Sequence, residues 1–266
     1  MTKKKIVNII AILSSIAVLL FQLLKPNPFN VLPIKENSFS IENDGTIINY
    51  TGRQTKVVIP AQIGNTITAI GEYAFAGKKL KSVIIPDSVI SIGMGAFSSD
   101  NLVGIDIPES VTFISNFAFT NNQLITVTIP SSVTSIGIEA FSNNKLESII
   151  IPDSITYINW HIFYNNKLKS VIIPDSVTHI GAGAFRNNQL ESISIPDSVT
   201  SIDVGAFLDN QLISITIGSN VCFNPISAYS KEVTESFDSC FDNFYNENGR
   251  MAGTYKLNDG KWSIKL

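Results

Sequence analysis

The chain carries two histidines, His161 and His179, and two cysteines, Cys222 and Cys240. Imidazoles and thiols are the usual transition-metal ligands, and a thiol beside an imidazole is a minimal nucleophile. The two histidines fall in adjacent copies of a repeat at different positions within it, which reads as two polar surface residues rather than a metal pair. The cysteines match no compact zinc knuckle, and neither has a base partner for nucleophilic attack. An acidic row, Asp87, Glu109, Asp153, Asp175 and Asp197, recurs one residue past a proline. Two such carboxylates on neighbouring strands could bridge calcium, but no chelating loop of alternating acid and carbonyl ligands surrounds them, so turn capping is expected of them. Asparagine pairs recur as well, Asn121-Asn122, Asn143-Asn144, Asn165-Asn166 and Asn187-Asn188, and are expected to satisfy turn amides with their side-chain carbonyls. No poised acid and base or activated nucleophile emerges, so the chain reads as a non-enzyme without cofactor or metal.

A side chain that recurs at a fixed interval belongs to the frame, and the interval here is 22 residues. From Leu80 to Gln211 six copies run without a gap, as in LKSVIIPDSVTHIGAGAFRNNQ from Leu168. A looser copy precedes them, with four extra residues around Gly64-Asn65, and a decaying one follows, giving about eight coils. In the first regular copy the inward positions are Leu80, Val83, Ile85, Val89, Ile92, Ala96 and Phe97. The alternation Val83-x-Ile85 predicts a short strand, and stacked copies predict a right-handed β solenoid with parallel strands about 4.8 Å apart. Prolines such as Pro86 and Pro108 end each strand, since they lack the N–H a ladder needs. Ser88 and its counterparts two residues on are expected to accept from a turn amide. Phe97, Phe119, Phe141, Phe163, Phe185 and Phe207 predict a continuous aromatic spine.

Composition agrees. Charged residues make up only 15% of the 266, and 19 basic against 22 acidic residues give a net charge of −3. That balance leaves no footprint for nucleic acid. Serine, threonine and asparagine take the place of surface charge.

At the N-terminus Lys3, Lys4 and Lys5 precede the mainly apolar run Ile6 to Leu24. The run is nearly long enough to cross a bilayer, with the lysines inside and the rest outside. Three readings stand: an uncleaved membrane anchor through residues 6–24, a signal segment cleaved after a small-residue site such as Ser15-Ile16-Ala17, or a buried helix of a soluble protein. The first places the repeat domain on the outer side of a cell membrane, the second makes it secreted.

Positions that the frame does not need are free for a partner. Phe113, Phe117, Tyr157, Trp160, His161 and Tyr164 stand where other copies often carry Ser, Gly or Ala. They are either a contact patch or rings folded over their neighbours to cover the outer turn. The outward strand positions, Ser, Thr and Ile, make a second low-charge surface suited to protein or glycan.

The ends need lids. The chain divides into residues 1–30 (anchor or signal), 31–55 (an N-terminal hairpin around Asn43-Asp44-Gly45), 56–230 (the solenoid) and 231–266 (a C-terminal cap). In the cap Phe237, Cys240, Phe241 and Phe244 lie at helical spacing, Asn248-Gly249 ends the helix, and a hairpin turns at Asp259-Gly260. Cys222 and Cys240 could tie cap to stack by a disulfide, or be two buried thiols.

The pattern L-x-x-V-x-I-P-x-S-V-x-x-I-G-x-x-A-F-x-x-N, clearest from Leu168 to Gln189, resembles the BspA-like class of bacterial surface leucine-rich repeats. The likeness spans roughly Phe39 to Tyr229. It implies a right-handed leucine-rich repeat arc with short helical turns, and no catalytic residue. Members are usually extracellular or anchored, and several are implicated in adhesion. The resemblance therefore implies a surface-displayed module, adhesive in the family's sense, whose partner is an extracellular or envelope protein or glycan; the chain is expected to be monomeric. The alternative is a passive structural or spacer protein of the cell envelope. Many members end longer turns with Cys, where this chain uses Asn-Asn or Asp-Asn in a uniform coil.

Overall fold

The computed structural model describes residues 35–224, 239–259 and 261–265. They form a mainly β solenoid in which each repeat contributes two short strands joined by turns. In the fourth regular copy these are Ser148–Ile150 and Tyr157–Ile158. Both alternate: Ile149 and Ile158 are buried, while Ile150 and Tyr157 are exposed. A period of two fixes which side chains enter the core, so register must be kept from coil to coil.

It is kept at one full repeat. Ser148 pairs with Ser170 and Ile150 with Ile172 in the first sheet. In the second, Phe113 pairs with Ser91 on one side and Ser135 on the other, and Tyr157 pairs with His179. All these pairings are parallel. The turns add a third ladder, in which the N–H of Phe97, Phe119 and Phe163 donates to Ala118, Ala140 and Ala184 of the next coil. The strand ladders themselves are interrupted, running in pairs of coils on the first face and breaking between Ser135–Ile136 and Tyr157–Ile158 on the second, where turn bonds such as Glu139 N–H to Trp160 C=O carry the contact; stability is a sum of coil-to-coil interfaces.

The predicted inward positions are buried, and the spine is continuous. Rings from Phe75 to Phe207 stack with centroids 5.1 to 6.0 Å apart. Tyr50 and Phe39 extend it at the N-terminal end. Each stacked pair contributes roughly 0.5–1.5 kcal/mol beyond its buried area.

The proline turn closes differently from expectation. Val111 N–H donates to Pro108 C=O at 3.0 Å, and the same bond recurs at Val133, Ile155, Val177 and Val199. The serine hydroxyl is then free to act as a donor: Ser110, Ser132, Ser154 and Ser176 reach the carbonyls of Val89, Val111, Val133 and Ile155 in the preceding coil at 2.6–2.7 Å. The acidic row beside them faces solvent.

The paired asparagines divide the work. The first of each pair has a left-handed backbone, with φ 54–57° at Asn121, Asn143, Asn165 and Asn187. Asparagine tolerates that region better than other side chains with a Cβ. The second is buried and stitches coils together. Asn144 Oδ1 accepts from Leu124 N–H at 3.0 Å, and its Nδ2 donates to the carbonyls of Phe119, Phe141 and Ser142 at 2.9–3.2 Å. Asn122, Asn166, Asn188 and Asn210 do the same.

Both ends are lidded. Phe39–Ile41 and Thr46–Tyr50 form an antiparallel hairpin, and the second of these strands continues the second sheet by pairing with Ala69–Ile70. The extra residues of the loose copy make a minimal hairpin, Gln62–Ile63 with Asn65–Thr66, around Gly64. At the other end Gly253–Asn258 adds antiparallel to Ser214–Ile217 and is followed by Lys261–Lys265. The helix Ser239–Glu247 buries Phe241 and Tyr245 against this hairpin, and Gly249 at φ 68° stops it. Phe237 lies outside the described residues.

The expectation of a membrane span is corrected. Among the described residues no helix is long and apolar enough to cross a membrane. The segment 6–24, on which anchor, outward display and signal cleavage all rest, lies outside them, and the described residues provide no membrane-spanning segment to support an anchored topology.

Candidate interaction surface

The variable residues of the fourth copy occupy the second strand and the turn after it, and what places them is the small residues of the next coil. Tyr157 stacks on His179, centroids 4.6 Å apart and planes 9° from parallel. His179 Nε2 lies 2.9 Å from Asp203 Oδ2 of the coil beyond. Trp160 lies over Gly181, where an added Cβ would come within 2.6 Å of the indole. His161 lies over Gly183 and meets Tyr164 edge to face at 5.4 Å. One ring face is thus spent on the neighbouring coil and the other is left to solvent: Tyr157 is 39% and Trp160 36% exposed.

The structure therefore brings together Tyr157, Trp160, His161 and Tyr164, packed over the coil that follows. The rings do fold over their neighbours, and in doing so become a fixed platform. Phe113 and Phe117 sit two coils away in the same columns, about 10 Å along the ladder. Phe113 is exposed between two serines, and Phe117 is half-buried.

The platform is neutral. Burial lowers the His161 pKa, with the Glu139 carboxylate opposing and the Arg186 guanidinium assisting, so the imidazole is uncharged near pH 7. Burial raises Tyr157, as does the Asp203 carboxylate, while a hydrogen bond with Trp160 offsets part of the rise.

Backbone strain marks the same column. Tyr73, Phe117 and His161 hold φ of 52, 60 and 52°, where the equivalent residues of other coils are Gly95, Gly183 and Gly205. A side chain with a Cβ there costs roughly 1–2 kcal/mol; Glu139, between Phe117 and His161, holds φ 55° as well, while Tyr73 and His161 are each followed in the next coil by a glycine, Gly95 and Gly183, that leaves room for the ring. Tyr73, over Gly95, belongs to this surface, and so does exposed Ile90. Sequence reasoning passed over both, although the column position of Tyr73 in the loose copy was a usable signal. Gly183→Ala should cost about 1–2 kcal/mol through its own φ of 61° and also displace the His161 ring, read as a loss of the His161–Tyr164 contact by NMR. An unchanged His161 signal set would contradict the packing described.

The opposite sheet carries scattered aliphatics, Val103, Ile125, Ile150 and Ile213, without an aromatic among the exposed large side chains of its strands. Cys222 is an exposed free thiol with Arg250 Nη1 3.5 Å from its sulfur. Cys240 opens the terminal helix, and its side chain is not among those described. Among the described residues no group of three or more His, Cys, Asp or Glu could hold a metal ion.

Comparison with known proteins agrees with this architecture. The family profile described as "BspA type Leucine rich repeat region (6 copies)" matches residues 45–166 and 112–234. The leucine-rich repeat protein of T. pallidum is similar at 24% identity over 84% of this chain and 100% of that one, with a TM-score of 0.53, a likeness of fold. A leucine-rich repeat protein from Bacteroides ovatus matches at 22% identity over 73% and 67% of the two chains, TM-score 0.46. A leucine-rich cell surface protein from Faecalibacterium prausnitzii matches at 22% identity over 84% and 99%, TM-score 0.33. No curated protein matches the chain. With more than half of its length covered by the profile, the chain belongs to the BspA-type leucine-rich repeat family.

Proposed function

We propose that the scaffold is a binding module, adhesive in character, whose partner is a protein or glycan docked on the second sheet around Tyr157 and Trp160. The observation that supports this reading is the half-exposed pair of rings, immobilised from beneath by His179 and Gly181. Rings already fixed lose little entropy on binding, and aromatic residues dominate interface energetics. The surroundings, Ser135, Thr134, Thr156 and Thr178, are exposed hydroxyls without charge, suited to a neutral polar ligand. The joint change Tyr157→Ser and Trp160→Ser should reduce retention on immobilised matrix proteins, wall polymers or glycans at least tenfold, about 1.4 kcal/mol, with the fold intact by circular dichroism. Ile150→Ser with Ile213→Ser, on the opposite sheet, should leave retention unchanged. The reverse pattern would move the site to that sheet, and no retention of the parent protein on any of the three supports would favour a passive spacer.

A further inference from the structure

One copy breaks the asparagine ladder. Where five coils place Asn122, Asn144, Asn166, Asn188 and Asn210, the first regular coil places Asp100. Its Oδ1 keeps half of the role, accepting from Leu80 N–H at 3.0 Å. The other half requires a donor, because in the remaining coils this atom is an amide nitrogen bonded to three carbonyls. A carboxylate has no hydrogen to give. Asp100 is 4% exposed, and its Oδ2 is buried without a partner.

We infer that Asp100 serves as an asparagine surrogate only when protonated, so that the joint between the N-terminal coil and the rest of the stack is a pH-sensitive element, tight in acid and loosened at neutral pH. As a carboxylic acid it has the O–H that the site asks for. As a carboxylate it leaves a buried charge whose Oδ2 has no partner. Ionisation releases the proton to solvent and involves no other group.

The electrostatics run the same way. Burial raises the pKa from 3.8 to about 6, outweighing the backbone N–H groups of Leu80, Lys79 and Lys78 and the Lys78 ammonium, all of which favour the ionised form. Lys78 on the preceding turn is the charged group acting on it. From the following coil the nearest ladder member is the neutral Asn122, whose amide is already committed to Phe97, Phe119 and Thr120. An unfolded aspartate releases its proton near 3.8, the folded one near 6. The joint is therefore at full strength below about pH 4, loses stability as pH rises through about 6, and changes no further above. Two pKa units correspond to at most a hundredfold, roughly, in the equilibrium for local opening. Because coils interact only with neighbours, the loosening is confined to the N-terminal coil and its hairpin.

The test is amide hydrogen exchange of the full chain at pH 4.5 and 7.5, corrected for intrinsic rates, on the parent and on Asp100→Asn. The residue introduced is the one five other coils already use, so the variant should fold. In the parent, protection of residues 46–80 should fall tenfold or more, up to roughly a hundredfold, between the two pH values relative to residues 124–210. In Asp100→Asn the fall should vanish. Lys78→Met should move the midpoint of the parent's transition upward. Equal protection profiles in parent and Asp100→Asn, or a carboxyl NMR titration of Asp100 centred near 4, would overturn the inference.

Discussion

Asn144→Ala should lower the unfolding free energy by about 3–5 kcal/mol, measured as a shift of the urea midpoint. The substitution removes no hydrophobic surface of note, and the loss comes from what it leaves behind: the buried N–H of Leu124 and the carbonyls of Phe119, Phe141 and Ser142 lose the side chain that joins them. Each unsatisfied buried polar group costs about 1–3 kcal/mol. Asn144→Asp should be nearly as damaging at pH 7 and should recover part of the loss below about pH 5, because a protonated acid restores the missing donor. That substitution would copy into the middle of the stack the situation Asp100 creates at its end. A cost below about 1 kcal/mol for Asn144→Ala would mean that the ladder is incidental to the fold.

Phe141→Ala should cost a similar 3–5 kcal/mol and should also change how the protein unfolds. Phe141 stacks between Phe119 at 5.4 Å and Phe163 at 6.0 Å, so its removal opens the spine at the centre of the arc. In a structure whose coils touch only their neighbours, one weak interface uncouples the two halves. The expected readout is a broadened denaturation curve with a smaller m-value, resolving into two transitions by hydrogen exchange. A single transition with the parental m-value would show that cooperativity does not pass through the spine. The counterpart Ser135→Ala, on the exposed second strand, should stay within about 0.5 kcal/mol.

The frame was legible from the sequence because a period of 22 exposes its own rules. Once Leu80, Val83, Ile85 and Phe97 are seen to recur, burial follows for every copy, and so do the parallel sheets and the spine. What the period could not supply was direction. The serine two residues after each proline is expected to accept from a turn amide; at Ser110, Ser132, Ser154 and Ser176 it donates to the previous coil instead, because the proline carbonyl has already closed the turn, and at Ser88 and Ser198 the hydroxyl is buried without a partner. The asparagine pairs were read as one turn device, yet one residue of each pair is present for its backbone angle and the other for its amide, a division that adjacent identical letters hide. Asp100 went unnoticed for the same reason: an acid in a column of asparagines looks conservative until its second oxygen proves to be buried. The aromatic patch was legible as residues and not as a platform, since the orientation of Tyr157, Trp160 and His161 is set by His179, Gly181 and Gly183 one copy further on. The apolar run 6–24 gave the opposite lesson. Its composition predicted a membrane span, and nothing among the described residues provides one.

The central claim is that partners dock on the second sheet around Tyr157 and Trp160. Its most direct measurement is site-specific crosslinking on intact cells displaying residues 30 to 266, with a photoreactive side chain placed at Thr156, beside Tyr157, or at Ile150 on the opposite sheet, and the adducts identified by mass spectrometry. A partner attached through position 156, absent at position 150 and lost when Tyr157 and Trp160 are changed to serine, is the predicted result. Adducts confined to position 150, or adducts at 156 that persist without the two rings, would contradict it.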